Sequence, residues 1–109
     1  MVHEPDTVKE FIGNQEVKMR AKIYRNLLFL EELGNNLRLP YYRHLDDGIF
    51  ELRTQLANNI TRILYFFVID KEIIITNGFI KKTQETPPSE IELAKKYRSD
   101  YFKQMEESK

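Results

Sequence analysis

Residues 49–80 constrain the fold more than any other stretch. Phe50, Leu52, Thr54 and Leu56 alternate with Glu51, Arg53 and Gln55, the period of two expected of a strand with one face on a core. Asn58-Asn59 is a hairpin turn signal, and Asp47-Gly48 marks a turn before the first strand. Ile60 to Ile69 is rich in β-branched and aromatic residues and reads as a central strand. Asp70-Lys71-Glu72 turns the chain again, and Ile73 to Phe79 reads as a third strand, with Gly78 near its end. Strands joined by such short turns form an antiparallel meander.

Helices flank this region. One starts near Asp6 or Thr7, covers Val8, Phe11 and Ile12, and is broken by Gly13-Asn14. In the next, Val17, Ala21, Tyr24 and Leu28 recur at helical spacing, with Ile23, Leu27 and Leu30 widening the stripe. Gly34-Asn35 supplies its C-cap, and Pro40 places its end before that point. After Thr86-Pro87-Pro88, Ser89 and Glu92 form a capping box ahead of a stripe of Ile91, Ala94, Tyr97, Tyr101 and Met105. The expected class is therefore α+β: two N-terminal helices, a three-stranded antiparallel sheet and a C-terminal helix.

Length and composition narrow the functional classes. The 109 residues make a single domain, 1–109. With no cysteine, there is neither a disulfide framework nor a thiolate metal site. Residues 1–6 show no basic region followed by an apolar stretch, and the run from Ile63 to Ile69 is too short to span a bilayer. The reading is a cytoplasmic protein without a membrane partner. The 17 basic residues balance 17 acidic ones, which argues against a general polyanion binder. The charges are unevenly spread, however. Glu4, Asp6, Glu10 and Glu16 dominate the start, while Lys18, Arg20, Lys22, Arg25, Arg38 and Arg43 follow. Any grip on RNA would have to be local, with a larger machine helping to present the substrate.

The candidate chemistry lies on the strands. Glu51 and Arg53 project from one face of the first, Arg62 interrupts the apolar second, and Lys81-Lys82 follow the third. Gathered on one side of the sheet, Arg53 and Arg62 can clamp a phosphate or stabilise the extra charge of a pentacoordinate phosphorus. Glu51 or a lysine can take the proton from a ribose 2′-hydroxyl, a route that requires RNA and no metal. The plainer readings stand beside this one. Glu51 and Arg53 can be weak cross-strand ion partners, Arg62 a strand-end arginine, and Lys81-Lys82 a solvated turn. His44 is either an acid or base that contacts RNA or a surface-loop histidine. Tyr97 and Tyr101 read as core residues first and base-stacking residues second. No metal-ligand spacing, phosphate-binding glycine loop or Ser-His-Asp set is visible, and no cofactor is implied.

Several segments together resemble the HigB-like, phage-related toxins of the RelE superfamily. Asp47-Gly48-Ile49-Phe50-Glu51-Leu52-Arg53 is similar to their first meander strand, and Ile60-Thr61-Arg62-Ile63-Leu64-Tyr65-Phe66-Phe67 to the second. Residues 78–87, beginning Gly78-Phe79-Ile80-Lys81-Lys82, resemble the end of the third strand and the lead into the last helix. Gly34 to Pro40, with His44-Leu45, resembles the link from helix to sheet. The likeness covers roughly residues 8–101. It implies a RelE-like fold, ribosome-dependent cleavage of mRNA, and a cognate antitoxin with a helix-turn-helix domain. The basic residues it implies are Arg53, Arg62 and Lys81, with Lys82 adjacent. Glu51 occupies a neighbourhood where other branches place lysine or histidine, which leaves the general base open.

In one respect the chain departs from the pattern. Relatives begin with a strand, whereas only Met1 to Pro5 precede the first helix here. A missing strand would leave an unpaired sheet edge and favour homo-oligomers. Two alternatives keep the fold and drop the nuclease: a ParE-like gyrase poison, and a shortened toxin that only binds antitoxin.

Overall fold

Hairpin chemistry organises the centre of the molecule. The structure, a computed structural model, describes residues 2–68, 72–80 and 85–107. Its elements run β1 (Val2–His3), α1 (Asp6–Gly13), α2 (Val17–Leu33), a 3₁₀ turn at Gly34–Asn36, β2 (Tyr42–Asp46), β3 (Ile49–Leu56), β4 (Asn59–Phe67), β5 (Ile73–Ile80) and α3 (Pro88–Glu107). Asp47 and Gly48 both take positive φ, 49° and 76°, the conformation a two-residue hairpin needs between β2 and β3. The β3–β4 hairpin closes at Leu56 opposite Asn59, with Ala57 at φ 56°.

Among the described residues the sheet has five strands, not three, in the order β1-β5-β4-β3-β2. The strand expected to be missing is present as a two-residue stub. Val2 and His3 pair in parallel with Ile73 and Ile74, which makes the sheet mixed. The His3 imidazole and the Glu72 carboxylate also pair across this edge. The stub is invisible to periodicity because two residues carry none. The unpaired edge invoked for oligomers is thus partly filled. Tyr42–Asp46, expected as a connection, is instead the opposite edge strand, with Tyr42 facing Leu52 and Arg43 facing Glu51.

Each sheet face carries its own core. On one face, Leu52, Ile63, Tyr65, Ile73 and Ile75 meet Val8 and Ile12 of α1 and Met19, Ile23, Leu27 and Leu30 of α2. The buried stripe of α2 is rotated from the expected one, since Val17, Tyr24 and Leu28 are exposed. Asn26 lies within the buried stripe and donates to the Thr54 hydroxyl at 3.0 Å. Gly34 ends α2 as expected, its N–H donating to the Leu30 carbonyl. On the other face, Ile49, Leu64, Phe66 and Ile74 meet Ala94 of α3. Phe66 also sits 5.8 Å, centroid to centroid, from Tyr101, while Tyr97 is exposed.

The start of α3 is fixed differently from the expected capping box. Pro88 occupies the first helical position, where a missing N–H costs nothing, and the Pro87 carbonyl accepts from Glu90 and Ile91. Ser89 therefore falls inside the first turn. A bulge in β5 sets two residues, Thr76 and Asn77, against Leu64. Asn77 uses it to donate to the Glu90 carboxylate at 2.7 Å, tying the start of α3 to the sheet. Further along, Lys95 bonds Asp46 at 2.7 Å, and this hydrogen bond holds the Asp46 carboxyl below the usual carboxylate range.

Gly78 lets the Phe11 ring of α1 pack directly on β5. A Cβ there would meet the Phe11 ring at 2.7 Å. Gly78→Ala is expected to destabilise the fold by about 1–3 kcal/mol, the usual cost of overpacking. Phe11→Leu in the same chain should recover part of the loss. Urea denaturation of the single and double variants checks both outcomes.

Candidate functional site

The register of the β3–β4 hairpin puts Arg53 directly opposite Arg62. Counting from the closing pair, Leu56–Asn59, this is a non-hydrogen-bonded pair, the kind that brings side chains closest. Like charges so placed repel. Glu51 resolves the conflict. It lies two residues before Arg53, on the same face of β3 and on the strand beside Arg62. Its Oε1 accepts from Arg62 Nη1, and Arg53 Nε stands 3.6 Å from the same oxygen. The Thr86 hydroxyl donates to Oε2. One carboxylate thus gathers two guanidiniums and the segment that leads into α3.

Exposure divides the roles within this cluster. The Glu51 and Arg62 side chains are 0% exposed, whereas Arg53 keeps 32%. Of the two arginines expected to clamp a phosphate, only Arg53 can reach one in this arrangement. Arg62 is a buried counter-ion that positions Glu51. Glu51 is likewise badly placed to act as a base, because both of its oxygens accept hydrogen bonds and neither faces solvent.

The remaining expected residues divide as follows. His44 pairs with Phe50, whose ring lies 5.0 Å away, and so belongs to the face of α1 and α2, opposite the Glu51 cluster. It is exposed on an edge strand and is not part of this site. Lys81 and Lys82 lie outside the described residues. Arg43 is a site residue that the sequence does not single out. As the register partner of Glu51 on β2 it shares the cluster's face and is exposed. Its place could be found only by recognising β2 as a strand. Among the described residues, no group of three or more His, Cys, Asp and Glu side chains could hold a metal ion. No helix there is long and apolar enough to cross a membrane.

The fold and site define a small α+β protein with a mixed sheet, one face of which carries arginines organised around a buried carboxylate. The family model described as Phage derived protein Gp49-like (DUF891) matches residues 10–99, and the chain belongs to that family, which is of the RelE/HigB toxin type. A comparison with curated proteins finds no match.

The buried pair yields a prediction about stability. Arg62→Ala should cost about 3–5 kcal/mol, because it strands the Glu51 charge in the interior. Replacing both partners with apolar residues, Glu51→Leu with Arg62→Met, should restore most of that loss. Urea denaturation monitored by circular dichroism distinguishes the two; equal losses in both variants would contradict the assignment.

Proposed function

We propose that this chain is the toxin of a type II toxin–antitoxin pair and that it cleaves mRNA on the ribosome through the ribose 2′-hydroxyl. The observation that carries the reading is the Arg53–Glu51–Arg62 arrangement on one sheet face of a Gp49-like chain. In the proposed reaction the 2′-oxygen attacks the adjacent phosphorus, and the 5′-oxygen leaves. The products carry a 2′,3′-cyclic phosphate and a 5′-hydroxyl. Arg53 meets the non-bridging phosphate oxygens, where its planar fork fits two acceptors. Arg62 and Glu51 hold Arg53 in place and act as positioning residues. For proton transfer the family resemblance offers Lys81, two residues beyond Phe79, the register partner of Arg62.

Net charge supports a role for the ribosome. A chain with equal numbers of basic and acidic residues gains little from long-range attraction to RNA. Presentation of the substrate by a larger particle removes that need. The proposed partners are therefore the translating ribosome in the cytoplasm and an antitoxin with a helix-turn-helix domain. Neither a gyrase poison nor an antitoxin-only relative requires a partly exposed arginine held by a buried carboxylate, which favours the nuclease.

Expression without antitoxin, followed by primer extension on abundant mRNAs, tests the reading. Cuts inside translated regions that vanish when translation is blocked are expected. Arrested DNA replication without cuts would favour a gyrase poison, and no growth effect would favour an inactive relative. Arg53→Ala should lower cleavage by about two to three orders of magnitude, as loss of one transition-state donor does. Its thermal midpoint should stay close to that of the parent chain.

A further inference from the structure

We infer a second phosphate site next to the Glu51 cluster, in the cleft between α2 and β3, that grips the RNA backbone one step away from the reacting bond. The inference rests on the nuclease reading for the identity of its ligand. The cleft itself is independent of it: a cavity of about 220 Å³ whose wall includes Lys22, Arg25, Asn26, Tyr41, Arg53 and Gln55. None of the described residues lining it is acidic. Arg53 lines the cleft at the edge of β3 that β2 leaves open beyond Tyr42, and its side chain reaches Glu51 on the other face, so the cleft and the cluster meet at that edge.

Lys22 and Arg25 are held in position without being neutralised. Lys22 Nζ donates to the Gln55 carbonyl at 3.0 Å, which leaves its other N–H groups available. Arg25 lies 5.7 Å over the Phe29 ring and donates to Asn26 Oδ1 at 3.4 Å. Among the described residues neither Lys22 nor Arg25 has an acidic partner. Asn26 is buried and fixed in turn by its bonds to the Thr54 hydroxyl and the Arg53 carbonyl. The sheet edge contributes as well. Strand β2 ends its pairing where Arg53 N–H donates to the Tyr41 carbonyl at 2.8 Å. Two residues on, the hairpin register turns the Gln55 N–H and C=O away from β4, toward the cleft. Lys22, Arg25 and a backbone donor border a space that fits a phosphate and part of its ribose, with Arg53 at its rim.

This chemistry selects a phosphodiester over a neutral ligand. It also reconciles a neutral chain with RNA binding, because the charge is concentrated where the backbone runs. One strand of RNA then sets the scissile phosphate at Arg53 and the neighbouring phosphate between Lys22 and Arg25.

The test uses the whole chain and a six-nucleotide single-stranded RNA with methylated 2′-oxygens, which cannot be cut by the proposed route. Nuclear magnetic resonance titration should shift the Asn26 side-chain amide and the Tyr41 backbone amide. The double variant Lys22→Gln with Arg25→Gln should bind at least ~10-fold more weakly. Its dependence of log affinity on log salt should flatten by ~0.7 for each phosphate that the variant no longer neutralises. Lys103→Gln, on the exposed side of α3, should change neither. Unaltered affinity and salt slope in the double variant, shifts confined to other surfaces, or no shift at millimolar RNA would each overturn the site. A chain that binds here but never cuts mRNA refutes the nuclease reading and leaves the site standing. A chain that cuts mRNA while the double variant binds normally refutes the site alone.

Discussion

The Glu51–Arg62 ion pair is the constraint on which the candidate site of this molecule depends. Burying a carboxylate and a guanidinium costs several kcal/mol each before their attraction is counted, so the pair needs near-complete hydrogen bonding to survive. The Thr86 hydroxyl supplies a further hydrogen bond to Glu51, and Arg53 adds a positive charge 3.6 Å from the carboxylate. The pair also fixes register. A slip of one residue between β3 and β4 would bring Glu51 to the wrong partner and turn either Leu52 or Ile63 out of the core they share. The same alignment that closes the apolar core therefore brings Arg53 to its place opposite Arg62.

Around that alignment, the two sheet faces carry different work. Helices α1 and α2 cover one face, and the close approach at Gly78 sets α1 against β5. On the other face, α3 covers the half built from Ile49, Leu64, Phe66 and Ile74, and the bulge at Thr76-Asn77 fixes where the helix begins. What remains beside it is the half that holds Glu51, Arg53, Arg62 and the exposed Arg43. A rigid scaffold of this kind limits the freedom of the Arg53 guanidinium, which reaches solvent. Preorganised charge of this sort stabilises a developing phosphorane better than a mobile surface arginine can.

The fold is legible in the sequence where side chains carry a period and obscure where they do not. Strands β3 to β5 show themselves through alternation and β-branched runs. Strand β1 has two residues, and β2 is an edge strand whose Arg43, His44 and Asp46 are exposed, so neither shows a pattern. In α2 two overlapping apolar stripes compete. Packing against Leu52 and Ile63 selects Met19, Ile23 and Leu27, and leaves Val17, Tyr24 and Leu28 outside. The site follows the same logic. Arg62 stands out as a charge in an apolar strand, but its partner depends on hairpin register and its burial on the tertiary fold. Without β2, sequence reasoning puts His44 near the site and leaves Arg43 out of it.

The central claim is that the chain cuts ribosome-bound mRNA by way of the ribose 2′-hydroxyl. The most direct measurement supplies purified chain and programmed ribosomes with two messages, identical except that one carries a single 2′-deoxynucleotide at the cut position. The account predicts that the all-ribose message is cut to give a 2′,3′-cyclic phosphate and a 5′-hydroxyl, while the deoxy-substituted message stays intact. Cleavage of both messages at the same position would contradict it.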